Sequence, residues 1–138
     1  MSEHTDDRLE RVYRLDRDDM EGEYVRLTGD FGFWGERIAV ARQAHALAKL
    51  DLDIGMVRVR AKAAHILDEA GTKYSEAAIA RTAPHIPEYK QLHLSVIYAQ
   101  RQVDHLAGIL EALRAKKDML ISLGATLRQE FKAYAGDH

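Results

Sequence analysis

The sequence predicts an all-α fold: a long antiparallel helical hairpin with a short connecting helix and a C-terminal helical oligomerisation segment. Three observations carry that expectation. From Leu92 onward apolar residues recur in 4-3 alternation through Val96, Ala99, Val103, Leu106, Leu110 and Leu113, and after Lys117 the stripe resumes at Leu120, Gly124, Leu127 and Phe131. A second stripe at helical spacing runs through Val40, Ala44, Leu47, Leu50, Ile54, Val57, Ala61 and Ala64. No segment alternates with period two between turn residues, which leaves strands without a home.

Residues 1–30 are charge-dense, and their apolar positions, Leu9, Val12, Tyr13 and Leu15, are sparse. They offer little apolar area against the entropy of ordering. A short amphipathic helix over Arg8–Asp19 and disorder both fit, and the stretch reads as a flexible acidic leader to a single helical domain over 31–138. Gly22, Gly29, Gly32 and Gly35 punctuate the passage into that domain. Phe31, Phe33 and Trp34 lie among them, as a staple at a helix start or as a stacking platform for bases.

The first long helix is expected from Trp34 to Ala70. Ile38, Leu52, Val59 and Ile66 flank its stripe and make it broad enough for two apolar neighbours. Gly55 marks a bend or a close crossing, and Gly71 with Thr72 supplies a stop. Ser75 caps a short helix over Glu76–Thr82, and Pro87 with Glu88 opens the second long helix. A helix of roughly 45 residues is about 65 Å long, so a compact monomer cannot bury its whole stripe. Its first half is expected to pair with the first long helix. The surplus, within an assembly segment over 110–134, is where chains are expected to meet, through Leu110, Leu113, Lys117, Leu120, Gly124, Leu127 and Phe131. Lys117 falls on that seam, where a polar residue sets register or oligomer state.

Composition narrows the function classes. There is no cysteine, which rules out disulfides and thiolate metal sites and fits a reducing, cytoplasmic compartment. The N-terminal residues lack an apolar h-region, and no run approaches a membrane span, so no membrane partner is expected. Residues 1–32 carry ten acids against five arginines, leaving twelve acids against fifteen bases in the remainder. A mildly basic body permits a polyanion partner without demanding one. The seven histidines are scattered, His45 beside the first stripe, and no zinc spacing, phosphate loop or dinucleotide fingerprint is present. The reading is of a protein that is not an enzyme and needs no cofactor or metal.

The basic positions are more informative. Arg58, Arg60 and Lys62 follow one another with no acid between them; Arg58 and Lys62 share a helix face and Arg60 points elsewhere. Arg114 and Lys116 precede Leu120. Such a set is a solvated face in many helical proteins. Repeated around an oligomer, it becomes a polyphosphate-binding surface.

The segment YSEAAIARTAPHIPEYKQLHLSVIYAQRQVDHLAGILEALRAKKDMLISLGATLRQEF, Tyr74 to Phe131, resembles the UvsY-like recombination mediators of bacteriophages and prophages. The likeness rests on a helix start, a connecting turn and a long helix ending in ALxAKKDML…GxxLRxE, and extends more loosely over Trp34–Ala70. It implies an all-helical homo-oligomer closed into a ring, with heptamers known in the family. It implies single-stranded DNA as a partner, bound without sequence preference, and a role in loading a RecA-like recombinase onto strands coated by single-strand-binding protein. Arg58, Arg60 and Lys62 then match the DNA-binding helix, and Leu110 to Phe131 the assembly region. For a phage or prophage protein the place of action is the bacterial host cytoplasm. The acidic leader lies outside the pattern. The competing expectation is a structural coiled-coil scaffold with no nucleic-acid role, whose basic side chains are dispersed or paired with acids.

Overall fold

The computed structural model describes residues 2–73 and 75–136, with side chains described from Thr5 onward. Tyr74, where the resembling segment begins, lies outside them. The chain is an all-α bundle of four helices: α1 (Ser2–Tyr13), α2 (Met20–Glu69), α3 (Glu76–Thr82) and α4 (Pro87–Gly136). Single 3-10 turns at Arg17–Asp19 and Ala83–His85 precede α2 and α4. No strand occurs among the described residues.

Two compact units divide the chain. One takes the residues through Ile38 and those from His105 on; the other is Ala39–Asp104. The acidic stretch over 1–30 contributes α1 and the opening turns of α2 to the first unit. Helix α2 begins at Met20, well before the expected start at Trp34, because Asp19 caps it: its Oδ1 accepts the Gly22 N–H at 3.1 Å. Glu21 and Glu23 then lie favourably in the first turn.

The helix runs on through Gly29, Gly32 and Gly35, each costing about 1 kcal/mol against alanine. Burial of one face outweighs that cost. Glu23, Leu27, Asp30, Trp34 and Ile38, three or four apart, are all buried. From α4 the first unit buries Leu106, Ile109, Leu113, Lys116 and Leu120, again at intervals of three and four. Val12 of α1 completes this core, and Tyr24 Oη donates to the Leu120 carbonyl at 2.8 Å. A fully buried Leu or Ile contributes roughly 1.5–3 kcal/mol, so Ile109, Leu113 and Leu120 dominate here.

This buried stripe differs from the expected seam by one residue at alternate positions. Leu106, Leu113 and Leu120 are common to both, whereas Ile109 and Lys116 take the inward places expected for Leu110 and Lys117. Intervals of four-three and three-four share every second position, so apolar spacing alone leaves the other shoulder ambiguous.

In the second unit, Val59 and Ala63 of α2 pack with Ile79 of α3, Ala83, and Ile86 ahead of α4. Met56, Ala64, Leu67, Tyr89 and Leu92 close around them. A Cβ built on Gly55 would lie 2.4 Å from Leu92 Cδ1, so the close crossing expected at this glycine is present. Gly71, at φ 70°, ends α2: its N–H bonds the Asp68 carbonyl and that of Thr72 bonds the Leu67 carbonyl, both at 3.0 Å. Ser75 Oγ caps α3 through the Ala78 N–H at 3.3 Å, as its position predicts. Helix α4 opens at Pro87 and continues unbroken through Gly124 to Gly136.

Candidate nucleic-acid interface

The expected basic positions are spread over both units, and each is occupied by a carboxylate. In the second unit Arg58 grips one Glu88 oxygen through Nε at 3.1 Å and Nη2 at 2.8 Å, while Lys62 Nζ holds the other at 3.0 Å. The two cations do share a face, as their four-residue spacing requires. Arg60 points to another flank and pairs with Glu76 of α3. The hydrogen bonds from Lys62 and then Arg58 hold the Glu88 carboxyl below its ordinary range.

In the first unit Arg114 pairs with Glu111, one turn back on α4. Lys116 departs from its expected role. It is 7 % exposed, its Nζ lies 2.6 Å from Glu23 Oε2, and it donates to the Arg11 carbonyl at 2.6 Å. It is a core residue joining α1, α2 and α4 and cannot meet a DNA backbone. Burial pushes the Glu23 carboxyl up, but hydrogen bonds from Lys116 and Arg26 outweigh it and leave the group below its ordinary value.

These pairs set what the surface can do. Arg58, Arg60 and Lys62 keep their side chains more than half exposed. Exposed ion pairs are worth about 0–1 kcal/mol, so a phosphate can replace Glu88 or Glu76 at small cost. The Arg58–Lys62–Glu88 cluster retains one surplus positive charge, whereas Arg60–Glu76 is neutral.

The sequence reading missed other cations. Arg42, Lys49 and Arg101 in the second unit are exposed and make no ion pair among the described residues. Arg42, Lys49 and Arg60 lie seven and eleven residues apart, on one flank of α2. That spacing was the signal available. In the first unit the Arg8 and Arg37 guanidinium carbons stand 4.3 and 4.7 Å from the Phe33 ring centroid. Trp34 beneath is 2 % exposed, so it serves the core and not a stacking platform.

The expected assembly residues divide in two. Leu113 and Leu120 are fully buried inside the first unit and unavailable to another chain. Leu110 and Gly124 are half-buried, the Cβ position of Gly124 lying 3.3 Å from Tyr24 Oη, and Lys117 is exposed without its expected place on the seam. Leu127 is 50 % and Phe131 78 % exposed. Those two remain available.

No family model, curated protein or solved structure matches this chain. The likeness to the UvsY-like mediators therefore rests on the sequence pattern alone. Among the described residues no cluster of three or more His, Asp and Glu side chains is placed to hold a metal ion, and no helix is long and apolar enough to cross a membrane.

Proposed function

We propose that this chain is a non-enzymatic recombination mediator that assembles as a ring and binds single-stranded DNA without sequence preference. In this reading it helps load a RecA-like recombinase onto strands coated by single-strand-binding protein, in the bacterial host cytoplasm. The observation that carries the assembly half is the end of α4. Leu120 is its last buried residue, yet the helix continues to Gly136 with Leu127 and Phe131 exposed four residues apart on one face. An exposed apolar pair on a long helix is the surface that other copies would cover.

The DNA half is supported by the ALxAKKDML…GxxLRxE pattern and by the exposed heads of Arg58, Arg60 and Lys62. Repeated around a ring, such weak contacts sum to strong, salt-sensitive binding. A mediator of this kind performs no covalent step. It exchanges one strand-bound protein for another through differential affinity.

A second reading, a structural scaffold with no nucleic-acid role, is favoured by one observation: all five expected basic residues face carboxylates. Fluorescence anisotropy of a labelled single-stranded oligonucleotide with the full chain separates the two. The mediator reading expects binding that weakens on the order of a thousand-fold between about 50 and 200 mM salt, and weakens further when Arg58, Arg60 and Lys62 are replaced together by Gln. Absence of binding at low salt, or affinity unmoved by the triple replacement and by salt, decides for the scaffold.

A further inference from the structure

The stripe expected to be the inner face of α2 is the outer one. Along this stretch of α2 the line Ala41, His45, Ala48, Leu52, Gly55, Val59 and Ala63 is buried or half-buried, with Val59 and Ala63 in the core with Ile79 and Ile86 and Gly55 against Leu92. Val40, Leu47, Leu50, Ile54 and Val57 lie on the opposite side of the helix, each between 53 % and 69 % exposed. Their intervals are seven, three, four and three, the spacing of a coiled-coil seam. Five exposed branched aliphatic residues in one line form a contiguous apolar surface, unlike singly scattered ones.

The flanks of that stripe show what covers it. On one side lie Asp51, then Arg58; on the other lie Asp53, then Arg60. Each flank runs from acid to base in chain order over the same seven-residue interval. A second α2 laid antiparallel across the stripe reverses that order and meets acid with base on both flanks.

We infer that this face of α2 is an isologous interface with a second copy of the same chain. The two helices run antiparallel about a two-fold axis between residues 55 and 56. Ile54 then packs on Val57 of the second copy and Leu50 on Ala61 of the second copy. Asp51 lies opposite Arg58 of the second copy, and Asp53 opposite Arg60 of the second copy.

The local charges agree. Asp51 and Asp53 make no ion pair among the described residues, so both are free to engage a partner. The Arg58–Lys62–Glu88 cluster carries one unmatched positive charge, which one incoming Asp51 neutralises. Arg60 is more than half exposed and holds Glu76 in a surface pair, which an incoming Asp53 can replace at small cost. A slip of one heptad, with the axis near residue 52, instead sets Asp51 beside Asp51 and Asp53 beside Asp53 of the second copy. Charge therefore selects this antiparallel register over its one-heptad slip. The interface engages Arg58 and Arg60, which the proposed DNA contacts also use, but it lies outside the α4 segment of the proposed ring, so this contact and the ring can fail separately.

The full chain, which has no native cysteine, reports the contact directly. A mixture of Leu50→Cys and Ala61→Cys chains is expected to form a disulfide-linked dimer on mild oxidation, while neither variant alone cross-links efficiently. In sedimentation velocity, Ile54→Glu is expected to lower the assembly mass by about half, with helicity unchanged by circular dichroism. The double variant Asp51→Lys/Asp53→Lys is expected to lose the contact at low salt and to recover part of it at high salt, where like-charge repulsion is screened. Cross-linking of Leu50→Cys with itself would indicate a parallel contact and overturn the inference. So would an assembly mass unchanged in Ile54→Glu. The Phe131→Glu variant, which probes the α4 surface instead, is expected to leave the Leu50–Ala61 cross-link intact.

Discussion

Lys116 Nζ lies 2.6 Å from the Glu23 carboxylate, and both side chains are buried among the apolar residues of the first unit. A paired buried charge is tolerated; a lone one is not. Lys116→Met alone is therefore expected to lower unfolding stability by about 3–5 kcal/mol, leaving Glu23 with Arg26 as its remaining cation. Glu23→Leu combined with Lys116→Met is expected to recover most of that loss. Urea titration of the two single variants and the double variant reads the coupling.

The same pair sets an acid sensitivity. The folded-state pKa of Glu23 is depressed, so its contribution is fully present above the ordinary glutamate pKa of about 4.3. It is lost as pH falls through the lower folded value. Stability followed by urea titration across the acid range is expected to drop more steeply in the wild-type chain than in the Glu23→Leu/Lys116→Met variant. Parallel slopes would mean that other carboxylates, Glu88 among them, dominate the acid response.

Two glycines of α2 predict opposite outcomes. Nothing lies within 4 Å of a Cβ built on Gly32, so Gly32→Ala is expected to raise stability by roughly 0.5–1 kcal/mol. Gly55 is buried against the Leu92 side chain, and Gly55→Leu is expected to cost about 1–3 kcal/mol through overpacking. Thermal or denaturant midpoints of the two variants should move in opposite directions.

The cap of α3 is testable by itself. Ser75→Ala removes the Oγ that accepts the Ala78 N–H and is expected to cost about 1 kcal/mol. Hydrogen exchange should rise first at the start of α3, the element that carries Ile79 into the second core and Glu76 to Arg60.

Punctuation and local chemistry were legible in the sequence. Ser75, Gly71, Pro87 and the close crossing at Gly55 each act at their own position, so spacing and residue type sufficed. Faces were not. A broad apolar stripe does not say which edge meets the chain's own helices, so Val40–Val57 read as core when the flanking Leu52 and Val59 are inside. The same ambiguity exchanged Lys116 with Lys117. The start of α2 escaped because four glycines near it outweighed the quieter sign of Asp19 followed by acids. Basic side chains were identifiable, but their carboxylate partners, Glu88 and Glu76, are brought to them only by the fold.

The central claim is that copies of this chain assemble and that the assembly engages single-stranded DNA through charge. Multi-angle light scattering on the full chain, alone and with a single-stranded oligonucleotide at low and high salt, tests both parts together. The account predicts a mass several times the 15.6 kDa of one chain, increased by the oligonucleotide at low salt and not at high salt. A monomeric mass under every condition, or an assembly whose mass the oligonucleotide never changes, would contradict it.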